Sequence, residues 1–190
     1  MWKIAKEFEF DYGHRVWSQT LNCDFSLDNK CVCRHQHGHR GMIRVYLSSK
    51  ELKDGMVTDF KHLNFVKKFI DDVLDHKMIL DTNDPAFNHF YPLLAFDKNC
   101  GEQFDKLFEY HKEGYYTPWM DNIIKEDIHI QDVYNGLVLV EFVPTSENLS
   151  KWLFDIISDK LSSLNIRVDR IQFYETPKSQ SNYYNPNSYE

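Results

Sequence analysis

The segment 31–39, Cys-Val-Cys-Arg-His-Gln-His-Gly-His, holds two cysteines and three histidines in nine residues. His37 and His39 are two positions apart, so on an extended strand both imidazoles project from one face. Two imidazoles on one face supply half of the ligands of a tetrahedral metal site. The other ligands must come from a second element beside this strand. The segment therefore predicts a strand, a neighbour for that strand and a metal site.

His14 is the nearest upstream candidate for a third ligand. It follows residues 3–10, where apolar and charged residues alternate as on a half-buried strand. Zinc held by three histidines keeps its fourth position open for water or substrate, which is typical of catalytic sites. Two alternatives remain at this point. The histidines are an ordinary polar strand pair, or Cys23, Cys31 and Cys33 close a structural site with them.

Composition narrows the classes of function. With 190 residues, 42% hydrophobic and 15% aromatic, the chain can form one domain with a substantial core. Its net charge of -7 argues against a general nucleic-acid partner but allows a small anionic substrate. The first ten residues lack the apolar run of a signal peptide, and no stretch approaches the roughly 18–20 apolar residues that span a bilayer. We therefore expect a soluble cytoplasmic protein with no membrane partner and with reduced cysteines.

The spacing of apolar residues predicts an α+β domain. Residues 60–74 have an amphipathic helical period and follow a good N-cap residue, Asp59. A second helix is predicted to begin within 144–148, where a hydroxyl and an acid suit the first turn. The predicted strands are residues 3–10, 37–47, 136–142 and 167–175. This order indicates hairpins rather than repeated β-α-β units, and therefore an antiparallel sheet with helices on one face.

Six segments, taken together and in order, resemble the 6-pyruvoyl-tetrahydropterin synthase family, including its 6-carboxy-tetrahydropterin synthase branch. They are residues 10–15, 33–39, 55–60, 74–76, 144–148 and 175–176. The resemblance implies the tunnelling fold, an α+β fold with a four-stranded antiparallel sheet and two long helices on one face. It also implies a homo-oligomer, either a trimer or a hexamer. We expect a single domain over 1–190, with a large insertion between the helices at about 82–135.

The insertion has no clear period and is punctuated by prolines. It is much longer than the short link typical of compact bacterial family members. We expect its aromatic residues to form a satellite core rather than a recognition surface. These aromatic residues are Phe87, Phe90, Tyr91, Tyr115, Tyr116 and Trp119.

The resemblance implies a lyase that holds Zn²⁺ with His14, His37 and His39 and acts on 7,8-dihydroneopterin triphosphate. Cys33 lies four residues before His37, which is the spacing of the catalytic cysteine in the carboxy branch. Cys31 lies six residues before His37, which is the spacing in the pyruvoyl branch. A cysteine near a cation and an imidazole loses its proton more easily and can act as a base. We favour Cys33, and the choice between the two thiols stays open.

Three further residues match family positions. Asp75 and His76 match the acid–imidazole pair, and Glu175 matches the residue that anchors the pterin. A carboxylate can accept two hydrogen bonds from an amino-pyrimidine edge, which would fix the ring. Considered without the resemblance, Asp75 and His76 could simply cap a helix, and Glu175 could be a charge at a strand end.

The expected function is that of a zinc-dependent 6-carboxy-5,6,7,8-tetrahydropterin synthase in the queuosine/preQ0 (7-deazaguanine) pathway. The first alternative is a 6-pyruvoyl-tetrahydropterin synthase, which eliminates triphosphate without cleaving the side chain. The alternative from another class is a non-catalytic zinc-binding module in which cysteines close the metal site. Coordination by three histidines would exclude that module, whereas thiolate coordination would support it.

Overall fold

The structure, a computed structural model, describes residues 1–26, 31–164 and 166–187. The strands are β1 (Trp2–His14), β2 (His37–Ser49), β3 (Lys77–Asp81), β4 (Phe108–His111), β5 (Tyr115–Pro118), β6 (Leu137–Val140), β7 (Arg167–Thr176) and β8 (Ser179–Tyr184). The α-helices are α1 (Asn64–Phe69), α2 (Phe87–Phe90), α3 (Gly101–Leu107), α4 (Ile128–Asn135) and α5 (Ser146–Leu161).

The eight strands form one mixed sheet in the order β4-β5-β6-β3-β1-β2-β7-β8. β3 runs parallel to both β1 and β6, whereas the pairs β2–β7, β7–β8, β4–β5 and β5–β6 are antiparallel. The α+β class is confirmed, but the predicted sheet of four antiparallel strands is wrong in size and in strand direction. The reason lies in the insertion: it supplies β4 and β5, and it provides the long crossover that the parallel pair β3–β6 requires.

Contacts within the chain divide it into two compact units. Unit 1 comprises Met1–Asp11, His39–Asp75 and Thr145–Glu190, and unit 2 comprises Tyr12–Gly38 and His76–Pro144. The single domain over 1–190 with an insertion stays a prediction. Within the described ranges, no helix is both long enough and apolar enough to cross a membrane.

Unit 1 contains the antiparallel strands β2, β7 and β8 together with α5. Ile43 of β2 pairs with Phe173 of β7, and both side chains are fully buried because alternate residues of each strand face the core. α5 begins as predicted, since Thr145 accepts a hydrogen bond from the backbone N–H three residues on, at 3.3 Å. The rings of Phe154 on α5 and Tyr183 on β8 lie 5.1 Å apart. The strands predicted over 37–47 and 167–175 are thereby confirmed.

The helical segment predicted over 60–74 is a composite of three helix types. It begins as a 3-10 turn, Phe60–Leu63, continues as α1 and ends in a π turn, Ile70–Leu74. Asp59 caps it as predicted, by accepting a hydrogen bond from the backbone N–H two residues on, at 2.7 Å. The π turn closes at Asp75, whose N–H donates to the carbonyl five residues back at 2.8 Å. The helical segment therefore ends immediately before His76.

The insertion packs within unit 2 around its own apolar core, which confirms the predicted satellite core. The ring of Phe87 lies 5.4 Å from that of Tyr91 and 5.6 Å from that of Phe96, at typical aromatic contact distances. Phe90 and Trp119 are exposed instead. The buried residues of this core are Leu80, Phe87, Tyr91, Leu94, Phe96, Phe108, Ile123, Tyr134, Leu137 and Leu139.

Candidate metal centre

The three histidines predicted as metal ligands converge. His14 is the last residue of β1, while His37 and His39 lie at the start of β2 with a single residue between them. One ligand atom from each histidine lies within 4.8 Å of those from the other two. His14 is fully buried, whereas His37 and His39 are half-buried. The structure thus brings together the ligand set that the sequence predicts.

A glycine between the two strand histidines permits this convergence. A Cβ atom at Gly38 would lie 3.1 Å from the carbonyl oxygen of Tyr12, two residues before His14. That separation is closer than ordinary side-chain contacts, so a larger residue at position 38 would push the start of β2 away from the end of β1. Glycine is therefore required here by close backbone approach rather than by an unusual backbone angle.

Hydrogen bonds to backbone carbonyls fix the tautomers of two of the histidines. His14 Nδ1 lies 2.7 Å from the carbonyl oxygen of Pro144, and His37 Nδ1 lies 2.8 Å from that of His35. A carbonyl oxygen can only accept, so each Nδ1 carries a proton and donates it. In the neutral imidazoles each Nε2 then presents a lone pair, which is the arrangement of histidines that bind metals.

The two Nε2 atoms of His14 and His37 face each other at 3.0 Å. Two lone pairs at that distance repel, unless a shared proton or a bound cation lies against both. Zinc–nitrogen bonds in a tetrahedral site would place two ligand nitrogens about 3.4 Å apart. The observed separation is close to that value, and His39 supplies a further nitrogen. The residues therefore fit a metal ion with three histidine ligands and one open position.

Glu175 lies beside the third histidine. Its Oε1 atom is 3.6 Å from Nε2 of His39, and both side chains are partly exposed. The antiparallel pairing of β2 with β7 explains this proximity, because Met42 pairs with Tyr174 and the end of β7 therefore reaches the start of β2. The predicted pterin anchor is thus next to a predicted metal ligand.

The two candidate thiols occupy different environments in the turn before β2. Cys33 is half-buried within a 3-10 turn, Val32–Arg34, and its carbonyl oxygen accepts a hydrogen bond from the N–H of Val16 at 2.9 Å. Cys31 precedes the turn, and its Sγ donates to Oε1 of Gln19 at 2.8 Å. The backbone at Cys33 is therefore tied to the segment that follows His14, whereas the thiol of Cys31 is held by an amide.

Asp75 and His76 lie at the end of the composite helical segment. Oδ1 of Asp75 accepts a hydrogen bond from the backbone N–H of Asp11 at 2.9 Å, which orients the carboxylate. His76 has a backbone φ of 58°, in the left-handed region that residues other than glycine rarely adopt. Such strain, of order 1–3 kcal/mol, is concentrated at functional positions in proteins.

A basic pocket that the sequence analysis did not identify lies in unit 2. Its volume is about 540 Å³, within the size range of small-molecule sites. The signal available in the sequence is that one arginine directly follows His14 and another directly follows Cys33. The polar side chains that line the pocket are Arg15, Gln19, Thr20, Cys31, Arg34 and His35.

Two buried carboxylates next to the start of the insertion hold the segment after His14. Asp84 forms an ion pair with Arg15, and the exposed fractions of the two side chains are 0% and 13%. Arg15 also donates through Nε to the carbonyl oxygen of Arg34 at 2.6 Å. Asp81 accepts a hydrogen bond from the indole N–H of Trp17 at 2.8 Å. These contacts link the insertion to both strands of the turn that carries Cys33.

A tyrosine of the insertion contacts the same turn. Burial raises the pKa of the Tyr91 phenol, while its hydrogen bond with the side chain of Gln36 acts in the opposite direction. Gln36 lies directly before His37, one of the candidate ligands. The insertion therefore packs against the residues that position the metal centre, in addition to forming its own core.

An α+β fold that carries three converging histidines defines a candidate metalloenzyme, and the comparisons with known proteins identify its family. The sequence profile of the family described as 6-pyruvoyl tetrahydropterin synthase matches residues 3–186. The chain belongs to this family, which confirms the resemblance found in the sequence.

Relatives of known name support the same grouping. The chain is 30% identical to a 6-carboxy-5,6,7,8-tetrahydropterin synthase of Aquifex aeolicus, over 96% of this chain and 97% of that protein. It is 27% identical to a protein of the same name from Rickettsia conorii, over 93% of this chain and 96% of that protein.

Solved structures share the fold. A crystal structure of an uncharacterized protein from Wolinella succinogenes is 45% identical, with a TM-score of 0.90 over 97% of this chain and 98% of that one. The 6-pyruvoyl tetrahydropterin synthase of Plasmodium vivax is 14% identical, with a TM-score of 0.54 over 96% of both chains, and shows the fold alone.

Proposed function

We propose that this chain is a zinc-dependent 6-carboxy-5,6,7,8-tetrahydropterin synthase, a lyase acting on 7,8-dihydroneopterin triphosphate in the queuosine/preQ0 (7-deazaguanine) pathway. The observation that carries the proposal is the pair of Nε2 atoms of His14 and His37, 3.0 Å apart, with both Nδ1 atoms donating to carbonyls. This pair is oriented for a metal ion. The names of the relatives from Aquifex aeolicus and Rickettsia conorii support the carboxy branch.

His14, His37 and His39 would hold the zinc. When bound there, zinc would supply a Lewis acid that makes C–H bonds beside coordinated hydroxyl groups more acidic. The two backbone carbonyls that fix the tautomers of His14 and His37 keep these imidazoles aligned whether or not substrate is present.

Cys33 is proposed as the base that removes a proton from the substrate side chain, and His76 as the acid–base partner. Asp75 would hold the imidazole of His76 in its working orientation. The left-handed backbone of His76 supports a functional role, since a strained conformation at a non-glycine residue is otherwise unfavourable. Proton transfer by these groups, with loss of triphosphate and cleavage of the side chain, would release acetaldehyde.

The contacts of Cys31 favour Cys33 as the base. The Cys31 thiol donates its proton to Gln19, and an accepted hydrogen bond of this kind stabilises the protonated form. A base must instead lose its proton before it can act. We therefore assign Cys33 the catalytic role and Cys31 a structural one.

Glu175 is proposed as the residue that binds the pterin ring. Its carboxylate can accept two hydrogen bonds from an amino-pyrimidine edge. An imidazole that binds a metal is neutral, so the contact of Glu175 with His39 would not be an ion pair in the zinc-loaded protein. The carboxylate would then be positioned beside the metal centre, where the substrate side chain must lie.

The non-catalytic zinc module is the less favoured alternative. Among the residues that the structure describes, the group with converging ligand atoms consists of three histidines and includes no cysteine. A closed structural site would require thiolate ligands to complete the coordination. The pyruvoyl branch remains the nearer alternative, because it would use the same histidines and the same substrate.

Product analysis tests the proposal. The zinc-loaded protein is incubated with 7,8-dihydroneopterin triphosphate, and the products are identified by liquid chromatography with mass spectrometry. We expect 6-carboxy-tetrahydropterin and acetaldehyde from the wild type and from Cys31→Ala, and neither product from Cys33→Ala. A pyruvoyl product would assign the chain to the other branch, and no turnover with bound zinc would contradict the proposed activity.

The assembly and location are proposed on the same basis. We infer a homo-oligomer, a trimer or a hexamer, in the cytoplasm, with a small-molecule substrate and neither nucleic acid nor membrane as partner. Light scattering coupled to size-exclusion chromatography would give the mass of the assembly directly. A monomer at micromolar concentration would contradict the proposed assembly.

A further inference from the structure

The basic pocket of unit 2 has an unusual charge for this protein. The chain carries 29 acidic and 22 basic residues, yet the described residues that line the pocket include two arginines and a histidine and no acid. Leu21 contributes an apolar side chain to the lining. A pocket of this composition favours an anion, since guanidinium groups bind phosphate oxygens with paired hydrogen bonds.

We propose that this pocket, lined by Arg15 and Arg34, binds the triphosphate group of the substrate. The identity of the anion rests on the proposed function, whereas the preference for a polyphosphate rests on the pocket itself. The triphosphate is attached to the side chain whose hydroxyl groups would face the metal centre. It must therefore occupy a cavity next to the histidine cluster.

The pocket and the metal centre share backbone segments. Arg15 directly follows His14, and Arg34 and His35 lie two and three residues before His37. The carbonyl oxygen of His35 accepts the hydrogen bond that fixes the tautomer of His37. Residues that line the pocket are thus bonded directly to residues that would hold zinc.

The existing contacts leave donors for a ligand. Arg34 donates from Nη1 to the carbonyl oxygen of Gln19 at 2.8 Å, and its side chain is exposed. Arg15 uses Nε for the carbonyl oxygen of Arg34 and Nη1 for Asp84. Each guanidinium has further N–H groups beyond these. Because Asp84 balances the charge of Arg15, Arg34 supplies the excess positive charge of the pocket.

The neutral side chains are also oriented as donors. Oε1 of Gln19 accepts the hydrogen bond from Cys31, so its amide NH₂ group points elsewhere and can donate. The hydroxyl group of Thr20 adds another donor, and this residue is exposed. Together these groups give a polyanion several contacts of different geometry, which a single surface arginine could not provide.

Calorimetric titration of the zinc-loaded full-length protein with inorganic triphosphate tests the proposal without any turnover. We expect the wild type to bind, and Arg34→Gln to bind roughly tenfold to a hundredfold more weakly, the range expected for losing a charge-assisted contact. Arg40→Gln is the matched control. Arg40 is an exposed arginine on β2 that pairs with Glu9 at 2.8 Å and does not line the pocket.

Steady-state kinetics supply a second readout. We expect Arg34→Gln to raise KM for 7,8-dihydroneopterin triphosphate by a factor similar to its loss of triphosphate affinity, with a much smaller change in kcat. Circular dichroism and thermal unfolding of each variant separate these effects from misfolding.

Three outcomes would overturn the proposal: no binding of inorganic triphosphate, equal weakening by Arg34→Gln and Arg40→Gln, or a fall in kcat at unchanged KM. Turnover by a protein that does not bind triphosphate would overturn the pocket assignment and leave the proposed function intact. Binding that depends on Arg34, in a protein that does not convert the substrate, would support the polyphosphate site and contradict the proposed function.

Discussion

The two units of the chain bury different kinds of polar side chain. Among the described residues, the buried polar residues of unit 1 are neutral: Ser48, Ser150, Gln172 and Ser181. Those of unit 2 are ionisable: His14, Asp81 and Asp84. Burying an ionisable group costs far more than burying a hydroxyl, unless the group is paired. Unit 2 therefore retains groups that are unfavourable for stability alone, and each of them contacts the candidate site or the segment that holds it.

Ion pairs show the same contrast. Unit 1 carries exposed pairs at helical spacing, among them Lys68 with Asp72 and Lys151 with Asp155. Unit 2 carries the buried pair of Arg15 and Asp84. Exposed pairs contribute roughly 0–1 kcal/mol, whereas removing one partner of a buried pair costs about 3–5 kcal/mol. The difference teaches that burial, more than the number of charges, decides which pairs position the site.

The largest expected effect comes from His14→Ala. We expect this variant to lose stoichiometric zinc and at least about a hundredfold in lyase activity, because the most buried ligand is removed. Zinc content is measured by elemental mass spectrometry and activity by the product assay. His37→Ala, which removes a half-buried ligand, separates loss of the metal from a defect in folding.

Ser181→Ala is the matched control for His14→Ala in unit 1. The hydroxyl of Ser181 donates to the carbonyl oxygen of Ser146 at 2.7 Å, the same distance as from His14 Nδ1 to Pro144. Its loss is expected to cost about 1 kcal/mol of unfolding free energy and to leave zinc content unchanged. Full zinc occupancy in His14→Ala would contradict the assigned ligand set.

The next effect is one of stability. Asp84→Asn leaves the guanidinium of Arg15 in a mostly buried environment without its counter-charge, so we expect a loss of about 3–5 kcal/mol in unfolding free energy. Urea unfolding measures the change. Asp71→Asn removes an acid from an exposed helical pair with Lys67 in unit 1 and is expected to change stability by less than about 0.5 kcal/mol. Equal effects of the two substitutions would remove the contrast between the units.

A smaller effect of opposite sign is expected at His76. The left-handed backbone costs a non-glycine residue about 1–2 kcal/mol, and glycine avoids that cost at an entropic penalty of roughly 0.5–1 kcal/mol. We therefore expect His76→Gly to unfold at the same free energy as the wild type or about 1 kcal/mol above it, while losing activity. Thermal unfolding and the product assay are measured on the same preparation.

Asp54→Gly in unit 1 is the control for that substitution. Asp54 has a φ of 53° in an exposed turn with Gly55, so the same relief of strain is available there. Its activity should be unchanged, since the turn contains no proposed site residue. A His76→Gly variant that keeps full activity would contradict the proposed acid–base role.

The smallest expected effect is that of Lys151→Ala. Its ammonium group lies 2.6 Å from Asp155 on the exposed face of α5. We expect a change of at most about 0.5 kcal/mol that disappears as salt concentration rises, because exposed pairs are screened. Unfolding in low and high salt would reveal it. A loss of several kcal/mol would show that unit 1 also depends on individual charge pairs.

Local patterns in the sequence were sufficient for much of the fold and for the metal centre. The spacing of two between His37 and His39 predicted their shared face, and the caps at Asp59 and Thr145 appear where the composition favoured them. These features depend on the period of a strand and on the first turn of a helix. The family motifs added the third ligand, His14, and the positions of Cys33, Asp75, His76 and Glu175.

The tertiary structure alone decided the size and direction of the sheet and the existence of the basic pocket. Arg15 and Asp84 are 69 positions apart, and no local pattern indicates that they pair. The insertion likewise has no period that predicts its two added strands or the parallel pairing of its borders. Such pairings depend on the free energy of packing distant segments together, which local propensity does not contain. The sequence therefore determined which residues could hold a metal, and the packing of the insertion determined what surrounds them.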